Sequence, residues 1–157
     1  MRSRLLNENG IRAHLLAFEP GDEVIAILQR FAHDRRVSAA SVRAIGGFSA
    51  ATLAFFDPHD KVFVEVPVHE QSEVVSLLGD IALTEDMPTA HVHAALGLRS
   101  GEMRGGHLLR GIVCPTLELL LTESPAYLRK RFDPELGVPL IEVPSGERWL
   151  PPSGVRH

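Results

Sequence analysis

Ala90-His91-Val92-His93-Ala94-Ala95-Leu96-Gly97, followed after a short interval by Gly105-Gly106-His107-Leu108-Leu109-Arg110-Gly111, is the most informative stretch of this chain. Side chains alternate faces along a strand, so the His-x-His spacing turns His91 and His93 to the same side. Arg99-Ser100-Gly101-Glu102 has the composition of a tight reversal. Positions equidistant from that reversal then face each other, which sets His93 opposite His107. Directly opposed residues carry their Cβ atoms roughly 5 Å apart, a separation that suits nitrogen ligands on one shared metal. Gly105 and Gly106 lack side chains, so backbone or a small ligand can come close there. A slip of one residue would move His107 to the other face and destroy the arrangement. A lone histidine is more often a surface or hydrogen-bonded residue than a ligand; the matched position of the third imidazole favours a metal site here.

Working outward, the flanking sequence is strand-like. Lys61–Val68 alternates apolar and polar residues as a half-buried strand does, and Pro67 places its end at a sheet edge. Glu73–Leu83 is a further strand, and Ile112–Thr122 another after the two histidine strands. Val37–Ile45 and Phe48–Phe56 read as two runs separated by Gly46-Gly47. Val138–Val143 is the last apolar piece, and Ile11–Phe18 the first strand. Between these, Val24, Ile27, Leu28 and Phe31 recur at helical spacing over Glu23–Asp34, with Asp22 as the expected N-cap. Short turns between many strands, with one clear helix, predict an α+β fold: a mainly antiparallel sheet with the helix packed on it. One domain is expected over 1–157, with its core in about 10–143 and a Pro/Gly-rich tail in 144–157. Ser124–Arg131 reads equally as a short helix or an extended connector.

The bulk properties narrow the function. A net charge of −4 gives no general attraction to nucleic acid. The single cysteine, Cys114, forbids an internal disulfide, fits a reducing compartment, and in its apolar run reads as a buried small hydrophobe. The sequence has neither an apolar run of membrane-spanning length nor a signal-peptide pattern, so a cytoplasmic location is expected and no membrane partner. His59 reads as turn decoration and His33 as a charge suited to a helix C-terminus, while His14, His69 and His157 have no evident partner. The basic clusters Arg35-Arg36 and Arg129-Lys130-Arg131 are short and read as solvated faces.

The chain resembles the PPC (plants and prokaryotes conserved) domain. The resemblance is carried by Glu73-Val-Val-Ser-Leu-Leu-Gly-Asp-Ile81, by His91-Val-His93, and by Gly105-Gly-His-Leu-Leu-Arg-Gly-Ile-Val113. Ala44–Leu53 and Pro20–Val24 add weaker support. It implies an α+β fold built on a central antiparallel sheet and assembled as a homotrimer. It also implies a metal site, taken as zinc, at His91, His93 and His107. Plant relatives join this domain to an AT-hook, a short Arg-Gly-Arg-Pro element for the DNA minor groove, which this chain lacks. A cupin, which also uses His-x-His, expects a glutamate shortly after the second histidine; Ala94-Ala-Leu-Gly97 stands there instead.

Two functions follow as expectations. One is a three-histidine metal site (Zn2+, or another divalent transition metal) open to a small-molecule ligand or substrate. Gly105, Gly106, Arg99 and Arg104 are its candidate ligand-binding residues, and Glu102 and Glu118 are further candidates for supporting it. Three protein ligands leave a coordination position free, which suits hydrolase or lyase chemistry without naming a substrate. The alternative is a DNA-binding regulator, with binding expected to be weak or absent.

Overall fold

Two strands of unusual length organise the molecule. In the computed structural model, which describes residues 1–7, 10–124 and 128–142, β3 (Ala39–Asp57) has 19 residues and β7 (Met103–Glu123) has 21. The other elements, in chain order, are β1 (Arg2–Asn7), β2 (Ala13–Phe18), α1 (Val24–Asp34), β4 (Val62–Val68), β5 (Ser72–Thr84), β6 (Met87–Leu98), β8 (Arg129–Asp133) and β9 (Val138–Ile141). Every pairing between strands is antiparallel except the short parallel one between β5 and β8.

Glycine explains how strands this long stay paired while the sheet curves. The β3–β7 register shifts between Gly46 and Phe48. A Cβ on Gly46 would lie 2.3 Å from the Thr116 carbonyl oxygen, and one on Gly47 2.3 Å from that of Cys114. Only glycine allows backbones so close, and the resulting bulge bends the strand without ending it. The expected break at Gly46-Gly47 is therefore a bend inside one strand. In the same way, the histidine strand and the Ile112–Thr122 run are one strand, β7. Cys114 on it is only half-buried. β1, which pairs with β2, was not expected from the sequence.

β3 pairs with β5 and β7, and β6 also pairs with β5 and β7, so these four strands form a closed circuit. β4 pairs with β3 alone, leaving Pro67 on an edge strand as the sequence implied. The core inside includes Leu16, Phe18, Leu28, Phe48, Leu53, Leu77, Ile81, Leu96, Leu117, Leu119 and Leu121, all at most 2% exposed. Burying each such side chain contributes about 1.5–3 kcal/mol.

The helix closes what the strands leave open. Val24, Leu28, Phe31 and Ala32 face the core. Its N-cap is Glu23, not Asp22: the Glu23 carboxylate accepts from the backbone N–H of Ile25 at 3.2 Å and of Ala26 at 2.7 Å. Asp22 is drawn away, its carboxylate accepting from the Glu19 N–H at 2.9 Å. Glu23 also accepts from the Gly111 N–H of β7 at 3.1 Å. Gln29 donates to the Pro88 carbonyl and accepts from the Ala90 N–H at 3.1 Å. Helix side chains thus satisfy polar groups of β6 and β7 that would otherwise be free. His14 is buried, with its Nε2 2.8 Å from Glu123 Oε1, a partner not visible in the sequence. Residues 125–127, within the undecided stretch before β8, and 143–157, within the expected tail, lie outside the described residues.

Candidate metal centre

The β6–β7 register pairs His93 with His107, Ala94 with Gly106 and Ala95 with Gly105. His91, two residues before His93, shares its face. The three rings gather there, with centroids 5.2 Å apart for His91 and His93, 5.1 Å for His91 and His107, and 5.4 Å for His93 and His107. One nitrogen from each imidazole falls within 4.8 Å of the others. Ligands about 2.0–2.1 Å from a tetrahedral ion stand roughly 3.4 Å apart, so small side-chain rotations bring this set onto one ion. Close backbone packing holds it in place. A Cβ on Gly79 would lie 2.1 Å from the His91 carbonyl oxygen, and one on Gly106 2.6 Å from that of Ala54.

The electrostatics keep the ligand rings unprotonated. Burial, then the neighbouring His91, His93 and Lys130, pulls the His107 pKa down from 6.5 to about 4. Burial and His91 lower that of His93 as well. Both rings are therefore neutral near pH 7, the form in which imidazole offers a lone pair to a metal. His107 Nδ1 is buried and has no hydrogen-bond partner among the described residues. Such an orphan is costly unless something completes it, and a metal fits that need.

Asp80 lies opposite His91 across the β5–β6 pairing, with Oδ2 3.7 Å from His91 Nδ1. Its other oxygen is 2.6 Å from Lys130 Nζ, and the Lys130 side chain is only 4% exposed. Burial would raise the Asp80 pKa, but hydrogen bonds and charge from His91 and Lys130 outweigh it and hold the carboxyl below its usual value. A carboxylate behind a histidine fixes its tautomer and orientation.

The imidazoles open into a cavity of 690 Å³. Phe55, Phe56 and Phe63 form one side of it, and Val138, Pro139 and Leu140 of β9 another. The Phe63 ring lies 5.0 Å from that of His107. Gly106 lines this space, whereas Gly105, Arg99 and Arg104 are not among its walls. Arg99 sits by the β6–β7 turn in a separate hollow with Gln71 and Ser72. Arg104 pairs in register with Leu96, on the face opposite the histidines, and reaches Glu102 at 3.8 Å. Glu118 lies far along β7, opposite Ile45. Asp80, Lys130, Thr84 and Phe63 take the places around the histidines instead. Lys130, expected on a solvated face, is buried by its ion pair with Asp80.

The sequence matches no curated protein. Residues 6–125 match the Plants and Prokaryotes Conserved (PCC) domain. A Ralstonia eutropha JMP134 protein described as a "putative DNA-binding protein" is 30% identical, covers 83% of this chain and 91% of its own, and superimposes with a TM-score of 0.78. An Archaeoglobus fulgidus protein described as metal-containing is 27% identical over 91% of this chain and all of its own, with a TM-score of 0.79. The fold is also that of a Pyrococcus horikoshii plant- and prokaryote-conserved (PPC) protein, with 24% identity, 88% and 98% coverage and a TM-score of 0.79. With the domain model spanning most of its length and the same sheet in these relatives, this chain belongs to the plants and prokaryotes conserved domain family.

Proposed function

We propose that this protein binds a divalent transition metal, zinc, through His91, His93 and His107, and that the adjoining cavity admits a small molecule to it. The observation that carries this reading is the convergence of three imidazole nitrogens within 4.8 Å at the mouth of a cavity. The metal-containing description of the Archaeoglobus fulgidus relative supports it. A bound ion would supply Lewis acidity where three protein ligands leave a position open. Asp80, with Oδ2 3.7 Å from His91 Nδ1, is the carboxylate placed to support that ring. Phe63 and Phe56 keep water from one side of the rings.

The DNA-binding description of the Ralstonia eutropha relative is not carried over. Each cation of the basic triplet already faces a carboxylate: Arg129 with Asp86 at 2.5 Å, Lys130 with Asp80 at 2.6 Å and Arg131 with Glu142 at 2.8 Å. Phosphate contacts would have to break these pairs, and the net charge of −4 adds no compensating attraction.

The test is metal content. Tag-free protein loaded with zinc and dialysed is expected to retain about one ion per chain by elemental analysis. His93→Ala should retain almost none, while His59→Ala, at an exposed turn, should match the parent. Full retention in a folded His93→Ala protein would overturn the reading.

A further inference from the structure

We infer that the cavity takes a small organic carboxylate, its anionic head at the histidine centre and its apolar or aromatic body against the phenylalanine wall. The inference rests on the metal-centred reading and adds the chemical class of the ligand.

The demand for an anion comes from the charge around the histidines. No acidic residue is among the described residues lining the cavity. A divalent ion there would meet imidazoles and no carboxylate, because the nearest one, Asp80, is committed to buried Lys130 at 2.6 Å. Unbalanced positive charge in a partly apolar space is costly, and an anion from outside removes the cost. Donors for such a head are present. Thr84, which lines the cavity, has a buried Oγ1 with no hydrogen-bond partner among the described residues. Lys130 also lines it, and its ammonium carries three N–H groups, not all used by Asp80.

The apolar body follows from the opposite wall. Phe55 is 67% exposed and Leu140 42%, and both border this space. Phe56 and Phe63 pack with their rings tilted at 55° and centroids 5.1 Å apart, presenting ring faces and edges. The volume of 690 Å³ lies within the range of sites for small organic ligands.

The histidines lie within residues 6–125, which match the family model, while Lys130 and the β9 wall lie beyond that stretch. Changes to the β9 wall should therefore alter ligand preference and spare the ion.

Calorimetric titration of zinc-loaded protein, with zinc measured in the same sample, tests the inference. The probes are phenylacetate, phenethyl alcohol (body without charge) and acetate (charge without body). Phenylacetate is expected to bind at least about tenfold more tightly than either. Phe55→Ala, in the wall, should weaken it about tenfold with zinc content unchanged, and Lys130→Met should weaken it about tenfold per bound zinc ion; Phe55→Ala tests the wall independently of the buried ion pair. A parent protein that holds no zinc overturns the metal-centred reading and this inference together. Zinc retained, with phenylacetate binding no tighter than phenethyl alcohol, overturns this inference alone.

Discussion

Gly79 has no space for a side chain: its Cβ would lie 2.1 Å from the His91 carbonyl oxygen and 2.8 Å from the Val92 Cα. Backbone, unlike a side-chain tip, cannot swing aside, so Gly79→Ala must push β6 outward and His91 with it. The expected loss is about 1–3 kcal/mol of stability with a reduced zinc content, read by denaturant titration and elemental analysis. Gly105→Ala is the matched control, because its Cβ would meet nothing nearer than the Ala94 carbonyl oxygen at 3.4 Å; it should change both quantities far less. Equal zinc retention in the two variants would mean that this close packing does not position His91. The pairing of His93 with His107 was legible because Ser100-Gly101 marks its turn. Asp80 follows from His91 by the same reasoning around the β5–β6 turn. That turn, however, is built on Glu85 and Asp86 at φ 50° and 64°, with no glycine or proline to announce it. Lys130 was illegible for another reason: lysine reads as a surface residue, and only the sheet reveals the carboxylate that lets it be buried.

At the scale of elements, α1 depends on Glu23 at both ends of its role, as cap of its own first turn and as acceptor for Gly111 of β7. Glu23→Ala removes the cap and leaves the Gly111 N–H without that partner. A loss of about 1–2 kcal/mol is expected in chemical denaturation, and an unchanged midpoint would show that the cap contributes little. The helix itself was plain in the sequence, since Val24, Leu28 and Phe31 mark a buried stripe. Its exact start was not, because Asp22 and Glu23 stand side by side and the structure gives Asp22 other work. Strand lengths were misread at the glycines. A glycine that ends a strand and one that bends it look the same until the partner backbone is in place.

For the whole molecule, the conspicuous surface is apolar. Ile45 is 62% exposed, Val75 56% and Leu78 58%, and they share a groove with Arg43 and Glu118. We propose that copies of this chain meet on this face, as the trimer implied by the family resemblance would require. Leu78→Glu is expected to shift sedimentation toward the monomer; a parent protein that sediments as a monomer would refute the assembly. Leu78 pairs across β5–β6 with His93, so such a contact would run up to the metal centre. The outline of the domain was readable from alternation and turns, but the way β5 and β7 each serve three partners was not, because pairing between distant strands leaves no local mark.

A circuit of four strands has no loose end from which to unzip. Parting any one seam is resisted by the remaining three, and the histidines ride on two of those strands. The β8–β9 hairpin, by contrast, meets the sheet through a two-residue parallel pairing and a few side-chain bridges. Amide hydrogen exchange should accordingly be slowest along β6 and β7 and fastest in the hairpin. The molecule would then grip an ion with its stiffest part and admit a guest past its most yielding one.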